Sequence, residues 1–205
     1  MVLMPPFAPI VVLLFLGSIA ATMLAAAVFV YGAVRGIPAV RKWAGIAMLA
    51  IPAAYGTLLS LDGLRSRDRV LQPGGRKYFC EIDCHLACSV ERVERKGAFT
   101  VVTLKTWFDE STTSPMRPKE APLYPNPRQV YIQDASGRRY PASPEGLRDL
   151  SRPLIPGQSY LTRLVFDLPE GVRDPRLFVG DADPVSSFLL FHEQGPFHRK
   201  IWFAL

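Results

Sequence analysis

The segment KYFCEIDCHLAC, residues 77–88, holds every cysteine of the chain and one of its three histidines, in the spacing C-x3-C-H-x2-C. Three kinds of chemistry suit that pattern. Cys80, Cys84, His85 and Cys88 are candidate metal ligands, since thiolate and imidazole together bind soft and borderline metals. Cys80 and Cys84 are a candidate disulfide, should the chain turn tightly at 81–83. The third use is packing, because a free cysteine is a good small core residue. Parity bears on the choice. Tyr78, Cys80, Ile82, Cys84, Leu86, Cys88 and Val90 alternate with Lys77, Glu81, Asp83, His85, Ser89 and Glu91. Such a period of two predicts one strand over 77–93, with all three cysteines on the core face and His85 facing away. On one regular strand, residues four apart stand about 13 Å apart. A disulfide needs Cα atoms within about 7 Å, so that strand could neither bond its cysteines nor gather them on one metal.

The other histidines, His192 and His198, flank the turn EQGP near the end of the chain and join the candidate ligands only by folding back. They read as solvated or structural turn residues, and Glu193 beside them as a surface charge. The nucleophile elbow, phosphate-binding loop, zinc-protease and dinucleotide signatures are all missing from the sequence. The expectation is a protein that is not an enzyme and carries no cofactor.

The elements around this segment divide the chain. No charged side chain occurs from Met1 to Val34, and none from Trp43 to Leu61. A spanning helix needs about 20 apolar residues, and neither run shows the polar stripe of a soluble core helix. Two transmembrane helices are expected, over about 7–33 and 43–61, forming an anchor from 1 to 64. The start, MVLMPPFAPI, lacks the basic region of a secretory signal. Neither span carries Asp, Glu, Lys, Arg or His, so the pair reads as an anchor or packing surface and not as a transport path. Pro52 is expected to kink the second span, and Tyr31 and Trp43 sit where interfacial anchors belong.

The net charge is +6. Arg35, Arg41 and Lys42 lie between the spans, and Arg65, Arg67, Arg69, Arg76 and Lys77 follow the second, in a basic linker over 65–76 and the start of the next strand. Basic residues beside spans suit lipid headgroups, and no basic helix or stacking platform for nucleic acid appears. The charges of the inter-helix loop favour a cytoplasmic loop, which places the remainder of the chain outside.

From 77 to 205 the pattern is of short strands, read near 77–93, 99–108, 128–134, 138–141, 159–168, 175–179, 188–192 and 199–205, with a Pro-rich loop over 109–127. Asp134 to Arg139 is a hairpin turn. Tyr160, Thr162, Leu164, Phe166 and Leu168 share one face of a half-buried strand. Together these predict a membrane-anchored all-β protein: two transmembrane helices followed by an antiparallel β-sandwich.

Two resemblances follow from these residues. YIQDASGRRYPAS (131–143), LIPGQSYLTRLVFDLPEGV (154–172) and FHRKIWFAL (197–205) resemble a bacterial immunoglobulin-like domain family of unknown function, of the immunoprotective extracellular immunoglobulin-like superfamily, over about 78–205. The resemblance implies an immunoglobulin-like sandwich at the bacterial inner membrane, with the domain on the extracytoplasmic side, and no catalytic residue. In chain plan, and in the C-x3-C of Cys80 and Cys84, the chain also resembles cytochrome oxidase subunit II. That likeness implies a copper pair. The sequence departs from it: Cys88 stands where a histidine is expected, no methionine follows closely and no histidine lies upstream. The functional expectation is a binding or scaffolding protein, an accessory subunit of a larger membrane complex or a cell-envelope interaction module. Membrane lipids, other membrane subunits and a periplasmic protein are the expected partners. A copper-binding electron carrier and a redox sensor with a Cys80–Cys84 disulfide are the alternatives.

Overall fold

The structure, a computed structural model, describes residues 7–79, 84–127, 129–180 and 184–205. Two long apolar helices come first: α1 (Ala8–Val34) and α2 (Pro38–Arg65). Gly36, at a φ of +67°, turns the chain out of α1, and Pro38 starts α2 with its φ already helical. The helices pack side by side along the turn-linked pair. Both are long and apolar enough to cross a membrane, and only 11% of each apolar window is buried, unlike a soluble core helix. Pro52 lies inside an unbroken α2, which continues past the expected limit at 61 to Arg65.

The rest is sheet-rich. The strands are β1 (Arg69–Leu71), β2 (Lys77–Phe79), β3 (Leu86–Lys96), β4 (Phe99–Phe108), β5 (Gln129–Gln133), β6 (Arg139–Pro141), β7 (Ser159–Asp167), β8 (Arg176–Gly180) and β9 (Ile201–Ala204), with a short helix α3 (Pro144–Leu150) before β7. They form a five-stranded sheet in the order β1-β9-β8-β5-β6 and a four-stranded sheet in the order β2-β3-β4-β7. Every pairing is antiparallel except β1 with β9. Both sheets feed one core: Cys88, Val90, Val102, Leu104, Leu164 and Phe166 from the smaller meet Val130, Ile132, Leu177, Val179, Ile201 and Phe203 from the larger. The alternation read in β7 holds, with Thr162, Leu164, Phe166 and Leu168 buried and Leu161 58% exposed.

Three strand expectations change. The single strand over 77–93 is a hairpin: β2 runs back along β3, with Lys77 opposite Cys88 and Phe79 opposite Leu86. The alternation that suggested one strand continues through the connection, so periodicity alone could not reveal the reversal. The stretch 188–192 is no strand. A 3-10 turn, Val185–Phe188, occupies its start, and Phe191 adopts a φ of +63°, incompatible with extended backbone. The segment expected to be only a basic linker contains β1, which pairs in parallel with β9 at the far end of the chain.

Candidate functional site

The chemistry-bearing residues lie on the β2–β3 hairpin and on the closing segment from Pro184 to Lys200, and Cys84 and Leu189 from these two pieces pack against the helix pair. Cys84 is disulfide-bonded. It is 2% exposed and packs with Ala8 and Val11 of α1, Leu59 of α2, and Leu189 and Leu190. Cys80, its counterpart in the expected pairing, lies outside the described residues. Cys88 is a free thiol on β3, fully buried in the main core. Burial pushes its pKa up to about 12, although the nearby Lys77 works against the rise. His85 does not point to open solvent. Its ring stacks on Phe108 at 5.6 Å between centroids, and its Nδ1 lies 2.8 Å from Thr112 Oγ1.

Two further expectations are corrected. Glu193 is not a surface charge, and Lys77 is not a headgroup-facing one. The Lys77 ammonium lies 2.7 Å from Glu193 Oε1, with side-chain exposures of 1% and 8%. Glu193 Oε2 also accepts the backbone N–H of Ile201, and Lys77 Nζ stands 4.4 Å from the Phe178 ring centre. The ion pair thus ties the first strand of one sheet to the final strand of the other. His192 is 4% exposed, not solvated, and its Nδ1 accepts the Gln194 N–H. His198 Nδ1 faces the Arg199 carbonyl oxygen at 2.7 Å. Among the described residues no group of three His, Cys, Asp or Glu side chains is placed to hold a metal ion. Cys84 and Lys77 meet the closing segment through packing and the ion pair to Glu193, and the described candidates Cys84, His85, Cys88, His192 and His198 form no metal-binding group.

What the region does build is a joint. Tyr55 Oη donates to the Phe188 carbonyl at 2.7 Å, and Asp62 Oδ2 accepts the Phe191 N–H at 2.6 Å. Ser66 Oγ accepts from Arg199 N at 2.7 Å, and Asp68 Oδ1 from Lys200 N at 3.1 Å. At Gly63 the helix touches the closing segment so tightly that a Cβ would collide with the Pro196 carbonyl oxygen. Phe15 of α1 stacks on Phe188 at 6.1 Å and near parallel, and lies 6.0 Å from Tyr55. Asp62 and Asp68 belong to no sequence motif that marks them as functional. Their clue was position, since each directly follows or closely trails the last apolar turn of a helix that must be tied down.

No family model matches the chain, and neither a curated protein nor a solved structure shows significant similarity to it.

Proposed function

We propose that this chain is a non-enzymatic, membrane-anchored binding or scaffolding protein: an accessory subunit of a larger membrane complex, or an interaction module of the cell envelope. The observation that carries this reading is the joint. Four hydrogen bonds and a glycine-deep contact fix α2 and the residues just after it to the closing segment of the sheet domain. A partner gripping the helices and a partner gripping the domain would therefore be held in a fixed relation. The helices supply an apolar groove for neighbouring spans, lined by Ala21, Ala25, Ala44 and Ala47 together with Leu24 and Trp43. Small residues let helices approach closely in lipid. On the domain, the Pro-rich loop 111–127 offers Met116, 92% exposed, and Tyr124, 64% exposed. The segment 192–198 is largely committed to the joint and is the weaker contact element.

The same reading places the helices across the inner membrane of a bacterium, with an immunoglobulin-like sandwich on the extracytoplasmic side. The loop charges Arg35, Arg41 and Lys42 support that orientation. So does the disulfide at Cys84, a bond that persists in oxidising compartments. That bond also favours a second reading, a redox sensor in which Cys80 is the partner of Cys84.

The experiment is gentle extraction of the full-length protein in native nanodiscs, followed by native mass spectrometry, metal analysis and thiol counting. A metal-free chain held in stoichiometric complex with other membrane subunits supports scaffolding. Two coppers per chain with a thiolate charge-transfer band lost in Cys80→Ser would replace it with electron transfer. A monomer whose disulfide opens at the potential of cellular thiols would replace it with sensing.

A further inference from the structure

Phe188 and Val185, on the 3-10 turn Val185–Phe188, are 53% and 50% exposed although both side chains are apolar. Their position along the helices is fixed. The Phe188 ring stacks on Phe15, and its carbonyl accepts the Tyr55 hydroxyl. Phe15 and Tyr55 therefore mark the level at which the domain meets the helix pair. From Phe15 to Tyr31, α1 rises about 24 Å at 1.5 Å per residue, and from Trp43 to Tyr55 α2 rises about 18 Å. Both lengths fall short of the roughly 30 Å of bilayer hydrocarbon. At the far end stand Tyr31 and Trp43, each with a cation over its ring, Arg35 at 5.9 Å and Lys42 at 5.8 Å. Aromatic rings with adjacent basic groups are the mark of a membrane–water boundary. If the far boundary runs through Tyr31 and Trp43, then Phe15, Tyr55 and Phe188 lie on the acyl side of the near boundary.

We propose that the turn Val185–Phe188 enters the acyl–headgroup boundary of the bilayer, as a third lipid contact beside the two spans. This rests on the membrane-spanning reading given above. Its apolar surface is continuous with the outward face of α1 through the Phe15–Phe188 stack. Tyr55, apolar in body and polar at its tip, belongs at the same depth. The joint sets the tilt of the sheet domain over the membrane, because the turn is bonded to α2 through Tyr55. No displacement of the domain is needed for the contact to form.

The test uses full-length protein in vesicles of phosphatidylcholine and phosphatidylglycerol, with and without lipids brominated near the head of the acyl chain. Val185→Trp adds a fluorophore at a half-exposed position, and Phe188→Trp is the second variant should the first not fold. Emission of the added tryptophan is the difference from the unmodified protein. Emission of Trp43 is the difference on Trp43→Phe. The expected result is a blue-shifted added emission that brominated lipid quenches and aqueous iodide does not. An added tryptophan quenched by iodide and not by brominated lipid, while Trp43 is quenched by lipid, overturns the contact and leaves the spans standing. Lipid quenching of neither overturns both.

Discussion

Lys77 and Glu193 form a buried ion pair, 2.7 Å between Nζ and Oε1, across 116 residues of sequence. Removing one partner strands a charge in the core, which costs about 3–5 kcal/mol. Glu193→Leu and Lys77→Met are each expected to lower stability by that order in chemical denaturation of the full chain. The double variant Lys77→Met/Glu193→Leu is expected to recover much of the loss, since an apolar pair of similar volume leaves no unpaired charge. A double variant as unstable as the sum of the singles would show that the pair acts only through its separate contacts with the Ile201 backbone.

Cys88 faces Lys77 across the hairpin and is fully buried. With its pKa at about 12, the thiol presents almost no thiolate near neutrality. The folded protein is expected to leave Cys88 unlabelled by iodoacetamide at pH 8, and denaturant is expected to expose it. The raised value also has a stability consequence. The unfolded thiol ionises near 8.5, so the contribution of Cys88 is whole below that pH and declines as pH rises towards 12. Cys88→Ala should flatten that alkaline decline. Labelling of the native state at the rate of a free thiol would contradict the burial.

Much of the sheet was legible because burial writes itself into alternation. Thr162, Leu164, Phe166 and Leu168 line the core as their spacing predicts, and β4 spans the expected residues. The helices were legible from composition alone. What escaped is tertiary. The alternation of 77–93 runs straight through a chain reversal, because residues of the connection keep the same apolar rhythm as the strands. The run SFLLFH at 187–192 has strand composition, yet Leu189 and Leu190 are apolar to seat against Ala8, Val11 and Leu59. Lys77 and Glu193 carry no local mark of their pairing, since neither has its partner within a helix turn or hairpin. The joint residues Asp62, Ser66 and Asp68 bond to backbone groups far along the chain, which no window of sequence displays.

Gly63 is the tightest point of that joint. Gly63→Ala sets a Cβ against backbone, which cannot yield as a flexible side chain would, and overpacking of this kind costs about 1–3 kcal/mol. Gly56, two turns earlier on nearly the same face of the helix, has nothing within 4 Å of the added atom. Gly56→Ala should instead gain up to about 1 kcal/mol from helix propensity. Hydrogen exchange gives a local readout. Gly63→Ala is expected to speed exchange at the amides of Phe191 and Arg199, which bond to Asp62 and Ser66. Unchanged protection there, with stability equal to the Gly56 variant, would remove the joint as a rigid element and with it the main support for scaffolding.

Asp109 supplies the acid-side counterpart. Its Oδ2 accepts the Tyr78 hydroxyl at 2.7 Å, and its Oδ1 accepts the Ser111 N–H and hydroxyl at 3.1 and 2.6 Å. Partial burial pushes its carboxyl pKa up, but these hydrogen bonds, from Ser111 above all and then Tyr78, outweigh it and hold the group below the usual aspartate value. A depressed folded pKa means stability that is present above the unfolded value of about 3.9 and is lost as pH falls through the folded one. The loss frees the end of β4 from β2, beside the disulfide-bonded Cys84. Denaturation midpoints followed from pH 5 to pH 2 should therefore fall less steeply in Asp109→Asn than in the unmodified chain, and the variant should be the less stable of the two at pH 6. Parallel acid profiles for both would show that the carboxylate contributes through its geometry alone and not through its charge.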